Sequence, residues 1–312
     1  MCGIAGVIHR GKSSTVGSEM TTMLKAMKHR GPDSTGFALY KQSHKKNRYV
    51  MRFKVAEGLE AESGYEIQKL MRDRVGNVDE RLKELGVSIK KSSQETIYAY
   101  RYEFVFEGSL RELANYVEDL EGVEILSIGR GLELVKDLGD AEQVAGTYSL
   151  SGFAGTHAIG HTRMATESDV DIRSAHPYWA YPFSDVSVVH NGQLTNYWTK
   201  RRELERKGHR FMSNCDSELI AVYIADAIDR GKSLERSMTD SLTDLDGVFT
   251  YLIATSDQLG MAKDTMAAKP MVLYESEKIV ALASEEVAIR TIVKGEIDTS
   301  DPYDGEVRVW KA

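Results

Sequence analysis

The chain has 312 residues, 42% of them hydrophobic and 28% charged, which describes a folded globular chain able to bury a sizeable core and excludes a disordered or fibrous one. Its formal net charge of −7 weighs against nucleic acid as a partner, since such proteins carry a basic patch or stripe. No apolar run approaches the about 18 to 20 residues that cross a bilayer, so no membrane association is expected.

The first twenty residues, MCGIAGVIHRGKSSTVGSEM, lack a basic region ahead of their short apolar stretch, so no cleaved secretory signal is expected. Cys2 to Arg10 predicts a buried strand, and Met20, Met23, Leu24 and Met27 fall at helical spacing within Val16 to Lys28. Gly31 to Ser34 breaks that helix, and Gly36 to Tyr40 returns to strand. Beyond the basic stretch Lys41 to Asn47 the pattern predicts a strand over Tyr49–Ala56 and a helix over Tyr65–Leu85, with a break near Gly76. Strand follows at Ile89 and over Thr96–Phe106, then a helix over Leu110–Leu120 with Ser109 and Glu112 placed as a capping box, then a strand over Val123–Ile128. The order β-α-β-β-α-β is that of a small ferredoxin-like unit. After Gly152 short strands resume at His157–Thr162, Val186–His190, Gly247–Ala254, Gly260–Lys263, Met271–Tyr274 and Ile279–Ala283. Helices interrupt them at Asn196–Lys207 and Ser217–Asp229.

Five short motifs carry chemistry. A small residue at position two favours removal of Met1, which would leave Cys2 with a thiol and a free α-amine, a nucleophile and its base on one residue. In His161-Thr162-Arg163-Met164-Ala165-Thr166, a guanidinium past a strand end suits a substrate carboxylate, and the Thr166 hydroxyl adds a hydrogen bond. In His190-Asn191-Gly192, the Asn191 amide and the Gly192 N–H suit an oxyanion; Asn-Gly between strands equally reads as a turn. Asp216, in Asn214-Cys215-Asp216-Ser217-Glu218, suits a substrate ammonium or, more plainly, a helix N-cap. Arg30-Gly31-Pro32-Asp33 is a tight turn that can approach Cys2. Cys215 reads as a small buried residue, and two cysteines suit a reducing cytosol and are too few for an iron–sulfur cluster.

In this order the motifs resemble the glutaminase domain of the class II glutamine amidotransferases, over about residues 1 to 41 and 152 to 292. The resemblance implies an α+β N-terminal-nucleophile hydrolase fold: an αββα sandwich of two antiparallel sheets between helices, built from residues 1–41 and 152–312. Residues 42–151 are then an inserted α+β unit, longer than the usual link, either regulatory or a structural embellishment. The same resemblance implies Cys2 as nucleophile, Asn191 and Gly192 as oxyanion hole, Arg163 and Thr166 on the glutamine α-carboxylate, and Asp216 on its α-ammonium. Arg30, Gly31 and His190 line the site. It further implies hydrolysis of L-glutamine to glutamate and ammonia, with Thr166 to His176 as a candidate lid and with no metal and no cofactor on this chain. Ammonia would pass to synthase subunits of a cytoplasmic heteromeric complex, of the glutamate synthase or N-methylglutamate synthase kind, whose other chains carry a flavin. Two further readings stand beside this one: a glutamine-sensing or scaffold subunit without turnover, and a hydrolase of another amide.

Overall fold

A computed structural model describes residues 2–43, 45–57, 65–164 and 171–312. Strand β1 (Gly3–His9) is buried along its whole length. Its even residues Ile4 and Ile8 join one core cluster and its odd residues Ala5 and Val7 join another, the period-2 alternation of a strand covered on both faces. It lies inside a six-stranded antiparallel sheet ordered β13-β14-β1-β8-β2-β7, with β2 Ser34–Tyr40, β7 Leu132–Leu138, β8 His157–Arg163, β13 Val272–Glu275 and β14 Ile279–Ala283. The outer face of that sheet carries α1 (Val16–Ala26), which buries Met20, Met23 and Leu24 as its spacing predicts.

The second sheet runs β15-β12-β11-β10-β9, with β9 Tyr178–Trp179, β10 Ser187–Leu194, β11 Gly247–Ala254, β12 Gln258–Lys263 and β15 Val307–Lys311. Leu252, Leu259 and Met261 face Ile4, Ile8 and Ile159 across the gap between the sheets. Its far face buries α5 (Tyr197–Arg206), α6 (Asp216–Asp229) and α7 (Leu234–Asp244) in one cluster through Leu204, Leu219, Ile220, Ile224 and Met238. Helix, sheet, sheet and helix are therefore stacked as an αββα sandwich. Tyr40 ties the sheets directly, its hydroxyl meeting Ser187 Oγ at 2.7 Å and donating to the Ala254 carbonyl at 2.9 Å.

A third sheet, ordered β4-β5-β3-β6, is formed by β3 (Arg48–Lys54), β4 (Ser88–Gln94), β5 (Ala99–Val105) and β6 (Glu124–Gly129). One face packs Met51, Phe53 and Phe104 with residues of α2 (Tyr65–Glu84) and α3 (Leu110–Glu118). Helix α2 runs unbroken through Gly76, where the sequence suggested a break. At α3 the Ser109 hydroxyl accepts from the Glu112 N–H, satisfying one of the helix's free donors. The other face, with Arg52, Lys54, Arg101 and Glu124, meets β7 through charge. Glu133 on β7 accepts from Arg52 Nη2 at 2.8 Å, Arg101 Nε at 2.7 Å and Lys41 Nζ at 2.9 Å. Burial pushes that carboxyl up, but the three cations outweigh it and hold it well below its ordinary range. Buried pairs of this kind fix how two surfaces register more than they add stability.

The stretch 42–151 is thus not one unit. The third sheet ends at Gly129, while β7 pairs with β2 in the six-stranded sheet and α4 (Ala141–Thr147) packs on its helical face. The charges on β3, β6 and β7 form the buried ionic layer between the two sheets.

His157 on β8 is fully buried and stacked on Tyr40, with ring centroids 4.4 Å apart. Its Nε2–H donates to the Thr255 carbonyl at 2.8 Å, so Nδ1 must accept from Thr156 Oγ1 at 2.9 Å. Burial lowers its pKa to about 4. A histidine depressed in the folded state stabilises fully above its unfolded pKa of about 6.5 and loses that contribution as pH falls towards the folded value. We expect the stability difference between wild type and His157→Gln to shrink by about 2 kcal/mol from pH 8 to pH 5, read from urea titrations at both pH values. A pH-independent difference would contradict the neutral buried ring.

Candidate active site

The site forms where the N-terminal end of β1 sits between β8 and β14. Gly3 pairs with Thr162, and Ile4 exchanges hydrogen bonds with Ser284, its N–H donating to Ser284 Oγ at 3.0 Å. Cys2, half-buried, is therefore held at the mouth of the sandwich, with its Sγ 3.8 Å from the Met164 carbonyl. Two side chains converge on its carbonyl oxygen: Asn191 Nδ2 donates at 2.9 Å and Arg30 Nε at 3.1 Å. Arg30 is fixed from behind by Glu285, which its Nη1 meets at 2.6 Å.

Asn191 and Gly192 do not form a turn. Strand β10 continues through both, pairing Asn191 with Thr250 and Gly192 with Phe249. Gly192 has φ +139°, and a Cβ there would lie 2.0 Å from the Val248 carbonyl, so only glycine suits this backbone. Gly31 is required by close approach, since a Cβ would fall 2.3 Å from the Arg163 carbonyl carbon. The same contact region is tied by Thr162, whose hydroxyl donates to the Gly31 carbonyl, and by Asp33, whose N–H donates to the Arg163 carbonyl at 3.1 Å.

Arg163 ends β8 and is 7% exposed. Asp216 does not cap α6 as the plainer reading had it: Cys215 occupies the N-cap position and Asp216 is the first helical residue. Its Oδ2 instead accepts the Leu194 N–H at 2.9 Å, and its Oδ1 lies 3.5 Å from His190 Nδ1. Burial raises this carboxyl, but His190 and the Leu194 N–H more than offset it, so the net shift is downward and the group is an anion at neutral pH. Thr166 lies outside the described residues, as do residues 167–170 of the candidate lid.

Behind these residues His190 joins His161, His176 and Ser217, to which the sequence assigned no catalytic or substrate-binding role. His176 stacks on His161 with centroids 4.1 Å apart. Ser217 Oγ is 2.7 Å from His176 Nε2 and 2.8 Å from His190 Nδ1, and its hydroxyl also reaches Asp216 Oδ1 at 3.4 Å. Burial, then Arg163 and His190, lowers the His161 pKa to about 3, and burial drives His176 well down too. His161 and His190 stood in motifs and His176 ended the candidate lid, but their meeting requires β8, β10 and the segment before β9 to be brought together. No group of three or more His, Cys, Asp or Glu among the described residues could hold a metal ion. No helix among them is long and apolar enough to cross a membrane.

Residues 161–291 match the family of the glutamine amidotransferase domain. The chain is 39% identical over 316 aligned residues to a provisionally named glutamine amidotransferase of Methanothermobacter thermautotrophicus, covering all of both chains. It is 32% identical over 288 residues to the glutamine amidotransferase-like protein GlxB of Rhizobium meliloti, covering 91% of this chain and 89% of that one. Its fold is similar to that of the glutamine phosphoribosylpyrophosphate amidotransferase of B. subtilis, with a TM-score of 0.60 at 17% identity, over 99% of this chain and 47% of that one. The chain therefore spans about half the length of that solved relative. With a full-length relative at this identity, and with Cys2, Asn191 and Arg30 gathered at the mouth of an αββα sandwich, the chain belongs to the class II glutamine amidotransferases.

Proposed function

We propose that this enzyme hydrolyses the side-chain amide of L-glutamine through a γ-glutamyl thioester on Cys2. The observation that carries this reading is the convergence of Asn191 Nδ2 and Arg30 Nε on Cys2, with Arg163 and the anionic Asp216 nearby. Removal of Met1 frees the α-amine of Cys2, which takes the thiol proton as sulfur attacks the amide carbon. The amide oxygen gains the electron pair, held by Asn191 and the Gly192 N–H. The C–N bond then breaks, the leaving nitrogen takes the proton as ammonia, and the thioester remains. Water adds to that thioester, glutamate departs, and the thiol is restored. Arg163, joined by Thr166 on sequence grounds alone, holds the α-carboxylate, while Asp216 holds the α-ammonium; paired charges at that end select an amino acid over a simple amide.

The ammonia passes to a synthase partner of the glutamate synthase or N-methylglutamate synthase kind, whose own chains carry the flavin. The motif resemblance to separately encoded glutaminase subunits supports this choice. Purification of the native chain from its cell, with identification of the chains that stay bound, tests it.

The chemistry itself is tested by intact mass after incubation with 6-diazo-5-oxo-norleucine. One adduct, mapped to an N-terminal Cys2 lacking Met1, is expected. Glutamine binding without any adduct or ammonia release would instead favour a sensing subunit.

A further inference from the structure

The four-stranded sheet places Glu124 beside Lys136 and Arg173, next to the segment that leads into His176. Glu124 is 6% exposed at the start of β6. Its Oε2 lies 3.1 Å from Lys54 Nζ and accepts from Arg173 Nε at 3.3 Å, and its Oε1 is 4.0 Å from Lys136 Nζ. Lys136, on β7, is 5% exposed and donates to two backbone carbonyls, Arg173 and Ala175, each at 3.1 Å. Its ammonium also lies 5.0 Å from the centre of the Tyr178 ring. Both carbonyls belong to the segment that leads into His176.

That segment passes very close to β2, because Gly36 leaves room for it: a Cβ there would lie 2.0 Å from the His176 carbonyl. His176 then touches both halves of the substrate site. Its ring stacks on His161, two residues before Arg163 on β8, and its Nε2 meets Ser217, the neighbour of Asp216 on α6. One segment thus spans the strand that carries the proposed carboxylate binder and the helix that carries the proposed ammonium binder. Its backbone is pinned by a lysine whose own counter-charge comes from the third sheet.

We infer that Lys136 and Glu124 are positioning residues for glutamine. They fix the segment 171–177 and, through His176, set the spacing of Arg163 and Asp216. This inference rests on the functional reading above. It gives the third sheet a part in substrate affinity without any contact to substrate. A small misplacement of binding groups is costly because the α-carboxylate and α-ammonium of one small molecule must be met together.

The test measures glutamine affinity and turnover in the full chain carrying Lys136→Met, which keeps the length of the side chain and removes its charge and donors. Glu124→Gln, which keeps shape and removes the negative charge facing Lys54, Arg173 and Lys136, is measured beside it. For Lys136→Met we expect KM for glutamine to rise about tenfold, with kcat within about twofold of wild type, and Glu124→Gln to shift KM the same way by less. Alkylation of Cys2 by iodoacetamide, which needs no amino-acid recognition, is expected to keep its wild-type rate. Calorimetry in the Cys2→Ala background, without turnover, is expected to show the same loss of affinity. Unchanged KM in both variants overturns the inference while wild-type hydrolysis leaves the functional reading standing. If Lys136→Met does not fold, Glu124→Gln alone decides, and an unchanged KM there overturns the role of the third sheet. Absence of hydrolysis and of glutamine binding by wild type overturns the functional reading and this inference with it.

Discussion

Cys2→Ser is expected to reduce glutamine hydrolysis by at least about a thousandfold while the protein remains folded, measured as ammonia release beside a thermal melt. The serine hydroxyl is a far weaker nucleophile near neutral pH than a thiol, so the first step fails even with every other group in place. Folding is spared because the Cys2 side chain packs little. It is half-buried, and among the described residues the one hydrogen bond of its sulfur is the long 3.8 Å approach to the Met164 carbonyl. The strand behind it is held independently, by β8 and β14 pairing and by Ser284 on Ile4. Near-normal turnover in this variant would remove Cys2 from the chemistry and with it the proposed mechanism.

Asn191→Ala is expected to lower kcat by about 10² to 10³ with little change in KM for glutamine, read from steady-state kinetics. The donor is already in place, with Nδ2 on the Cys2 carbonyl at 2.9 Å, and the side chain is only 8% exposed. A donor preorganised in this way costs little to realign onto charge that develops during attack, so its loss falls on the transition state rather than on binding. A large rise in KM with kcat intact would instead make Asn191 a binding residue. Because β10 is paired on both sides of the position, the substitution leaves the strand in register.

Individual strands were legible where short apolar runs met turn residues, whereas their αββα arrangement was implied by the resemblance alone. Strands β11 and β14 fall at the residues the pattern predicts, Gly247–Ala254 and Ile279–Ala283, since both are short apolar runs with clear ends. Strand β7 was not legible. Leu132–Leu138 carries Glu133, Lys136 and Asp137, and charges in a strand read as a solvated loop unless their partners are known. Glu133 meets Arg52 and Arg101, Lys136 meets Glu124, and Asp137 accepts from the Tyr98 and Tyr148 hydroxyls, partners brought near only by folding. Strand β15 escaped for a related reason: Val307–Lys311 mixes apolar and charged residues, and it becomes a strand by pairing with the edge of β12.

The candidate site divides in the same way. The sequence by itself determined the chemical kinds available, a thiol at position two and Arg163, Asn191, Gly192 and Asp216 in a telling order, because a nucleophile and its donors are fixed by residue type. Tertiary structure alone decided that Asn191 and Arg30 meet at Cys2, that Asp216 leaves the cap position to bind the Leu194 N–H, and that His161, His176, His190 and Ser217 form one buried group. These relations join residues many positions apart across sheets and segments. Such distances depend on strand order and register, and no local periodicity encodes them.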